Sequence, residues 1–163
     1  MWLSYDHFQL LFLIVVANGA PILGAVVFRS VFRHPVDNGL VLGDGRRLFG
    51  ESKSWRGIVL AILLTSLTSI LFGLGWLLGI LVAIFAMLGD LFASFIKRRA
   101  GMPSSSKALG LDQVPEALFP LLASHSLVDM TIGQVCLLVL LFFVLELVLS
   151  RILYRLHIRS EPY

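Results

Sequence analysis

Asp90, Ser94 and Lys97 stand at i, i+4 and i+7 in the run Gly89-Asp90-Leu91-Phe92-Ala93-Ser94-Phe95-Ile96-Lys97-Arg98-Arg99. In a helix this spacing puts all three on one face. An acid, a hydroxyl one turn on and then a cation can hold a metal ion and a phosphate together. The same residues also make a plain Asp–Lys arrangement with a snorkelled cation. An acid inside an apolar segment is costly, which favours the chemical reading.

Two further stretches can join that face. Leu111-Asp112-Gln113-Val114-Pro115-Glu116 follows a Gly/Ser/Pro-rich loop from Gly101 to Gly110. Asp112 and Glu116, four residues apart at a helix start, could complete an oxygen-ligand site for Mg²⁺. Helix capping by Asp112, with Pro115 and Glu116 in the first turn, explains the same residues. The other stretch runs from Asp44 to Gly57 and ends Lys53-Ser54-Trp55-Arg56-Gly57. Glycines, cations and a hydroxyl at a helix start can present N–H groups and charge to a phosphate chain. An ordinary basic membrane-flanking loop has that composition too.

The elements that must position these residues are read from the apolar runs. The chain has 163 residues, 58% hydrophobic and 14% charged, with a mean hydropathy of +0.91. Lipid must be the solvent for so much apolar surface. Phe8 to Phe28 carries no charge and is long enough to cross a bilayer, although Asn18, Gly19, Pro21 and Gly24 predict a kink or close helix packing. Gly57 to Gly89 is too long for one span. Phe72-Gly73-Leu74-Gly75-Trp76 supplies a turn within it, which predicts helices over 58–73 and 76–97. A short segment from Pro115 to Val128 and a clear helix from Ile132 to about Tyr154 complete the series. The first apolar run lacks the charged start of a signal peptide and is expected to be a retained helix.

Charge placement decides the short segment. The thirteen Lys and Arg lie in the 29–57 loop, the 97–107 stretch and the tail. Five spans put all of them on one side, and four do not. The expectation is an all-α membrane bundle of about five transmembrane helices forming one domain over 1–163. Its N-terminus is outside and its C-terminus cytoplasmic. The 29–57 loop should lie ordered over the end of the 76–97 helix, because its apolar residues need cover. The sequence pI of 9.4 reflects membrane-flanking charge and not a nucleic-acid surface. Cys136 is the sole cysteine, so no intrachain disulfide forms. Glu146, His125 and Asn18 are read as packing residues, and Trp55 and Trp76 as interface anchors.

The run Gly-Asp-x3-Ser-x2-Lys-Arg-Arg, then Asp112-Gln113, preceded by Lys-x-Trp-Arg-Gly, resembles the CDP-archaeol synthases, relatives of the phosphatidate cytidylyltransferases. The resemblance covers about Asp44 to Glu116. It implies transfer of CMP from CTP to a lipid phosphate with Mg²⁺, releasing pyrophosphate, at the cytoplasmic side of the inner membrane. Carried over by position, Asp90, Asp112 and Lys97 would be catalytic. Lys53, Ser54, Arg56, Ser94 and Arg98 would bind substrate, and Asp90, Asp112 and Glu116 would hold the metal. The family pattern has a second Asp three residues after Asp112, where this chain has Pro115 and then Glu116. Either Glu116 substitutes with its longer arm or the metal site is built differently. The general style of the chain suggests a bacterial member, which leaves ether or ester lipid open, as is the oligomeric state.

Competing readings are a non-catalytic protein binding anionic headgroups through its basic loops, and a transporter. No inverted repeat supports the latter. A CDP-alcohol phosphotransferase would need an aspartate cluster on a helix, whereas Asp44-Gly45 falls in a loop.

Overall fold

The computed structural model describes residues 3–106 and 108–156. It contains five helices: α1 (Tyr5–Phe28), α2 (Trp55–Leu71), α3 (Trp76–Arg99), α4 (Gln113–Ser124) and α5 (Ile132–Arg155). α1, α3 and α5 are each long and apolar enough to cross a bilayer, and α2 is a shorter apolar helix of 17 residues. The turn between α2 and α3 uses Gly73 at φ +76° and Gly75 at φ +80°, a region open to glycine at no steric cost.

α1 runs unbroken through Pro21, and Asn18 Nδ2 donates to the Ile14 carbonyl at 3.0 Å. Of the kink or close packing expected of its small residues, the structure shows close packing. A Cβ on Gly24 would lie 2.4 Å from Leu60 Cδ1 of α2. Between lipid-bathed helices the hydrophobic effect adds little, so close backbone approach through small residues carries much of the association. Ala17, Ala20, Ala61 and Ala86 form such a seam with Met87. A second core gathers Leu10, Leu13, Ile14, Val82, Leu121, Leu138 and Phe142. Outward-facing Leu63, Leu67 and Leu71 stay exposed, as lipid-facing residues should.

The fourth segment differs from its expected bounds. α4 has 12 residues, about 18 Å of helix at 1.5 Å per residue, too short to cross alone. Its first turn packs on Gly89, ten residues before the end of α3. The 100–112 loop therefore dips into the bundle, and α4 completes the traverse that the loop begins. α5 then runs back, and Arg151 and Arg155 line a groove with Leu109. The basic residues among those described thus gather at one end of the bundle. Lys107 and Arg159 lie outside the described residues.

The 29–54 loop caps that end. Arg46 donates to the Arg98 and Arg99 carbonyls at 3.3 and 2.7 Å, satisfying acceptors that the end of α3 leaves open. Arg99 returns a bond to the Arg47 carbonyl at 2.6 Å and pairs with Asp44 at 2.5 Å. Asp37 is the hub of the loop. Its buried carboxylate pairs with Arg47 and accepts from the N–H groups of Gly39, Phe49 and Gly50. Burial pushes its pKa up, but Arg47 and the three N–H groups outweigh that and hold it at about 2, below the ordinary 3.8. A depressed carboxylate stabilises the fold above its ordinary value, and this contribution is lost as pH falls through the folded value. Protection of the Phe49 and Gly50 amides from hydrogen exchange is therefore expected to hold from neutral pH to about 4 and fall away toward 2. In Asp37→Asn it should be reduced throughout. Equal protection in both proteins would refute this.

Candidate active site

α3 carries the first wall of the site. Asp90, Ser94 and Lys97 line one cavity of ≈ 550 Å³, as their helical spacing predicted, and Arg98 joins them there. Ser94, Lys97 and Arg98 are buried, which is rare for cations unless they are bonded. Here they hold the 100–112 loop. Lys97 Nζ donates to the Ser106 carbonyl at 2.8 Å, and Arg98 to the Pro103 carbonyl at 2.6 Å.

Asp90 and Lys97 do not pair with each other. Asp90 Oδ1 meets Lys53 Nζ at 2.5 Å, from a loop 37 residues earlier, and Asp112 Oδ1 meets Lys97 Nζ at 2.6 Å. Burial lowers the affinity of the Lys53 amine for its proton, but Asp90, Glu116 and Asp112 more than offset this, so it stays charged to above its ordinary range. Asp112 makes no capping bond to α4. Its second oxygen accepts from Ala108 N–H at 2.9 Å, and Gln113 Oε1 accepts from Gly110 N–H at 2.8 Å. Both side chains serve the loop in front of the helix.

Glu116 lies on the first turn of α4 and lines the same cavity as Asp90, with the α4 backbone in contact with α3 at Gly89. Gly89 makes that contact reachable. A Cβ there would sit 2.2 Å from the Pro115 carbonyl oxygen, so only glycine lets α4 come this close. The three acids expected to surround one metal ion are not grouped that way. Among the described residues no three His, Cys, Asp or Glu side chains form a metal cluster. Asp90 is engaged by Lys53, and Asp112 by Lys97.

Ser54 and Arg56 are not part of that cavity. They line a different cavity, on the α1–α2 side. Ser54 caps α2 by accepting from Gly57 N–H at 3.4 Å, and Arg56 donates to the Arg29 and Val31 carbonyls at 2.9 and 2.6 Å. The main cavity gains residues not picked from the sequence: Ser105, Ser106, Gln113 and, from α5, Glu146. The serine run in the glycine-rich loop and the lone acid of α5 were the visible signals for them.

The sequence profile of the CarS-like family, described as CDP-archaeol synthase, matches residues 6–163. The chain belongs to the CDP-archaeol synthase family. The CDP-archaeol synthase of Pyrobaculum arsenaticum is 31% identical over 164 residues, 98% of each chain. That of Saccharolobus solfataricus is 35% identical over 157 residues, 91% of this chain and 89% of the relative. A solved structure described as an intramembrane enzyme for archaeal membrane lipids biosynthesis superposes with a TM-score of 0.75 at 30% identity, covering 87% of this chain and 90% of that one. These relatives are archaeal and give the bacterial reading no support. As a CDP-archaeol synthase family member the chain is a membrane enzyme, a CTP-dependent cytidylyltransferase acting on a lipid phosphate. Binding of headgroups without catalysis is set aside as its principal function.

Proposed function

We propose that the enzyme converts an archaetidic-acid-type lipid phosphate to its CDP-lipid, in the cavity bounded by Asp90, Lys97 and Asp112 at the cytoplasmic end of the bundle. The observation that carries the reading is that charged residues from three separate segments line one cavity at the bundle's basic end: Lys53; Asp90 and Lys97; Asp112 and Glu116. The archaeal relatives, named for the archaeol product, support the ether-lipid substrate.

Asp90 and Glu116 are hard oxygen donors lining one cavity, a donor set that fits Mg²⁺, which commonly takes one or two carboxylates together with substrate phosphates. Mg²⁺ bound there would neutralise phosphate charge and polarise the α-phosphorus of CTP. The chain's own residues do the rest. Lys53 and Lys97, each held by an acid, are placed to meet phosphate oxygens as those acids engage cation or water. Ser94 and Ser106 offer hydroxyl donors from the same cavity. An oxygen of the lipid phosphate attacks the α-phosphorus, the bond from that phosphorus to the bridging oxygen breaks, and pyrophosphate leaves with the electron pair. Lys97 and Arg98 supply positive charge to the leaving group.

Purified protein given CTP, Mg²⁺ and a panel of archaetidic and phosphatidic acids tests this by mass spectrometry of the CDP-lipids. Preference for ester lipid, or no CDP-lipid at all, would count against it. The cytoplasmic placement is tested separately on a Cys136→Ser background. Cysteines at Ser4 and Ser160 should react with an impermeant thiol reagent from opposite faces of oriented vesicles, Ser160 from the cytoplasmic face. Labelling of both from one face would reject the five-span topology.

A further inference from the structure

The Lys53–Asp90 pair separates two cavities. Pro21, Ser52, Lys53, Met87 and Asp90 line both the main cavity and a second one of ≈ 490 Å³ on the α1–α2 side. The second cavity has a distinctive charge balance. Arg29, Arg33 and Arg56 line it, and among the described residues none of the three pairs with a carboxylate. Arg56 spends one guanidinium nitrogen on two backbone carbonyls, and among the described residues Arg29 and Arg33 make no side-chain hydrogen bond. In the main cavity Lys53 and Lys97 are each neutralised by an acid.

Below the arginines the wall turns apolar, with Ala25, Ile58 and Leu91. Trp55 stands 52% exposed at the first turn of α2, where an indole marks the boundary between lipid and water. Unpaired arginines above an apolar wall, at the depth of the headgroups, complement a phosphate monoester on a hydrocarbon anchor. Arginine's fork of donors suits a phosphate, and a doubly charged ligand gains most here because Asp90, which also lines this cavity, is already taken by Lys53.

Resting on the reading above, we propose that the α1–α2 cavity receives the headgroup of the lipid phosphate. Arg29, Arg33 and Arg56 then hold its phosphate on the far side of the Lys53–Asp90 pair from the nucleotide. Lys53, in the shared wall, is the cation that both phosphates meet. The lipid thus reaches the reacting centre between α1 and α2, and CTP occupies the main cavity. Free phosphate and pyrophosphate share the anionic chemistry but not the apolar wall.

The test uses the full chain in nanodiscs with the double substitution Arg29→Gln/Arg33→Gln, two exposed side chains whose loss breaks no bond in the fold. Its KM for the lipid phosphate is expected to rise about tenfold or more, since two charge-assisted contacts are lost, while the KM for CTP stays within about twofold. A photoreactive residue in place of Ala25 should crosslink a radiolabelled lipid phosphate, with the yield reduced by the double substitution. An unchanged lipid KM overturns the proposal. So does a change confined to CTP, or relief of pyrophosphate inhibition without a change for lipid, which would make this the leaving-group site. If the unsubstituted protein makes no CDP-lipid, the catalytic reading fails while the crosslink still reports on the headgroup site.

Discussion

Replacing Asp90 by asparagine is expected to cut CDP-lipid formation by about 10³-fold or more while the protein stays folded. Asparagine keeps the size and hydrogen-bonding capacity of the side chain and removes only its charge. That charge holds Lys53 at 2.5 Å and faces the same cavity as Glu116, so it serves the cation and the proposed Mg²⁺ at once. The substitution also strands the Lys53 ammonium in a largely buried place, which is a stability cost distinct from lost chemistry. The double variant Asp90→Asn/Lys53→Met separates the two effects. It should regain thermal stability and remain inactive. Asp112→Asn should also be inactive, because it removes the charge that neutralises Lys97 and leaves one amide oxygen where Lys97 and the Ala108 N–H each used a carboxylate oxygen. Glu116→Gln should lose as much as Asp90→Asn or less, according to how far Glu116 replaces the acid absent at Pro115. Near-normal turnover by both Asp→Asn variants would end the metal-site reading and return the acids to packing and loop-holding roles.

Gly89→Ala is expected to be nearly as damaging to activity, by a steric route. The added Cβ would fall 2.2 Å from the Pro115 carbonyl oxygen and 2.8 Å from the Glu116 nitrogen. Both are backbone atoms of α4 and cannot swing aside, so the two helices must separate. Overpacking of this kind costs about 1–3 kcal/mol. The displacement falls on the cavity that Asp90 and Glu116 line, where a shift of about 1 Å can cost on the order of 10²-fold in rate. Gly79→Ala is the control. Its Cβ would meet the Ser66 Cα at 2.5 Å, in the α2–α3 seam ten residues from Gly89. It should lower thermal stability to a similar extent and leave the rate per folded molecule close to normal. Equal rate losses in both variants would show a general loosening of the bundle and not a fault at the site.

Local pattern was enough for a good part of this. The uncharged runs located the long helices to within a few residues, because in lipid a span must satisfy its own backbone over a length the bilayer sets. The one-sided basic residues chose five traverses over four, and in the structure those described do gather at one end. The i, i+4, i+7 spacing put Asp90, Ser94 and Lys97 on one face, since helical periodicity is a property of the chain alone. The loop does cover the end of α3 as expected, but through Arg46 and Arg99, while Leu40 and Val41 stay exposed.

Which charges meet was not legible there. The sequence suggested Asp90 with Lys97 on the same helix. The tertiary structure instead pairs Asp90 with Lys53 and Lys97 with Asp112. Both partners come from loops, whose path is set by Asp37 gathering the first loop and by Lys97 and Arg98 tying down the second. The same paths place Ser54 and Arg56 on the α1–α2 cavity, although in sequence they adjoin Lys53. Helix α4 begins deep in the bundle because Gly89 admits the Pro115 backbone, a complementarity between two surfaces that neither segment displays alone. Periodicity and hydropathy are sums over neighbours in the chain. The site is made by groups that only packing brings together, and its charges are decided by which of them packing leaves without water.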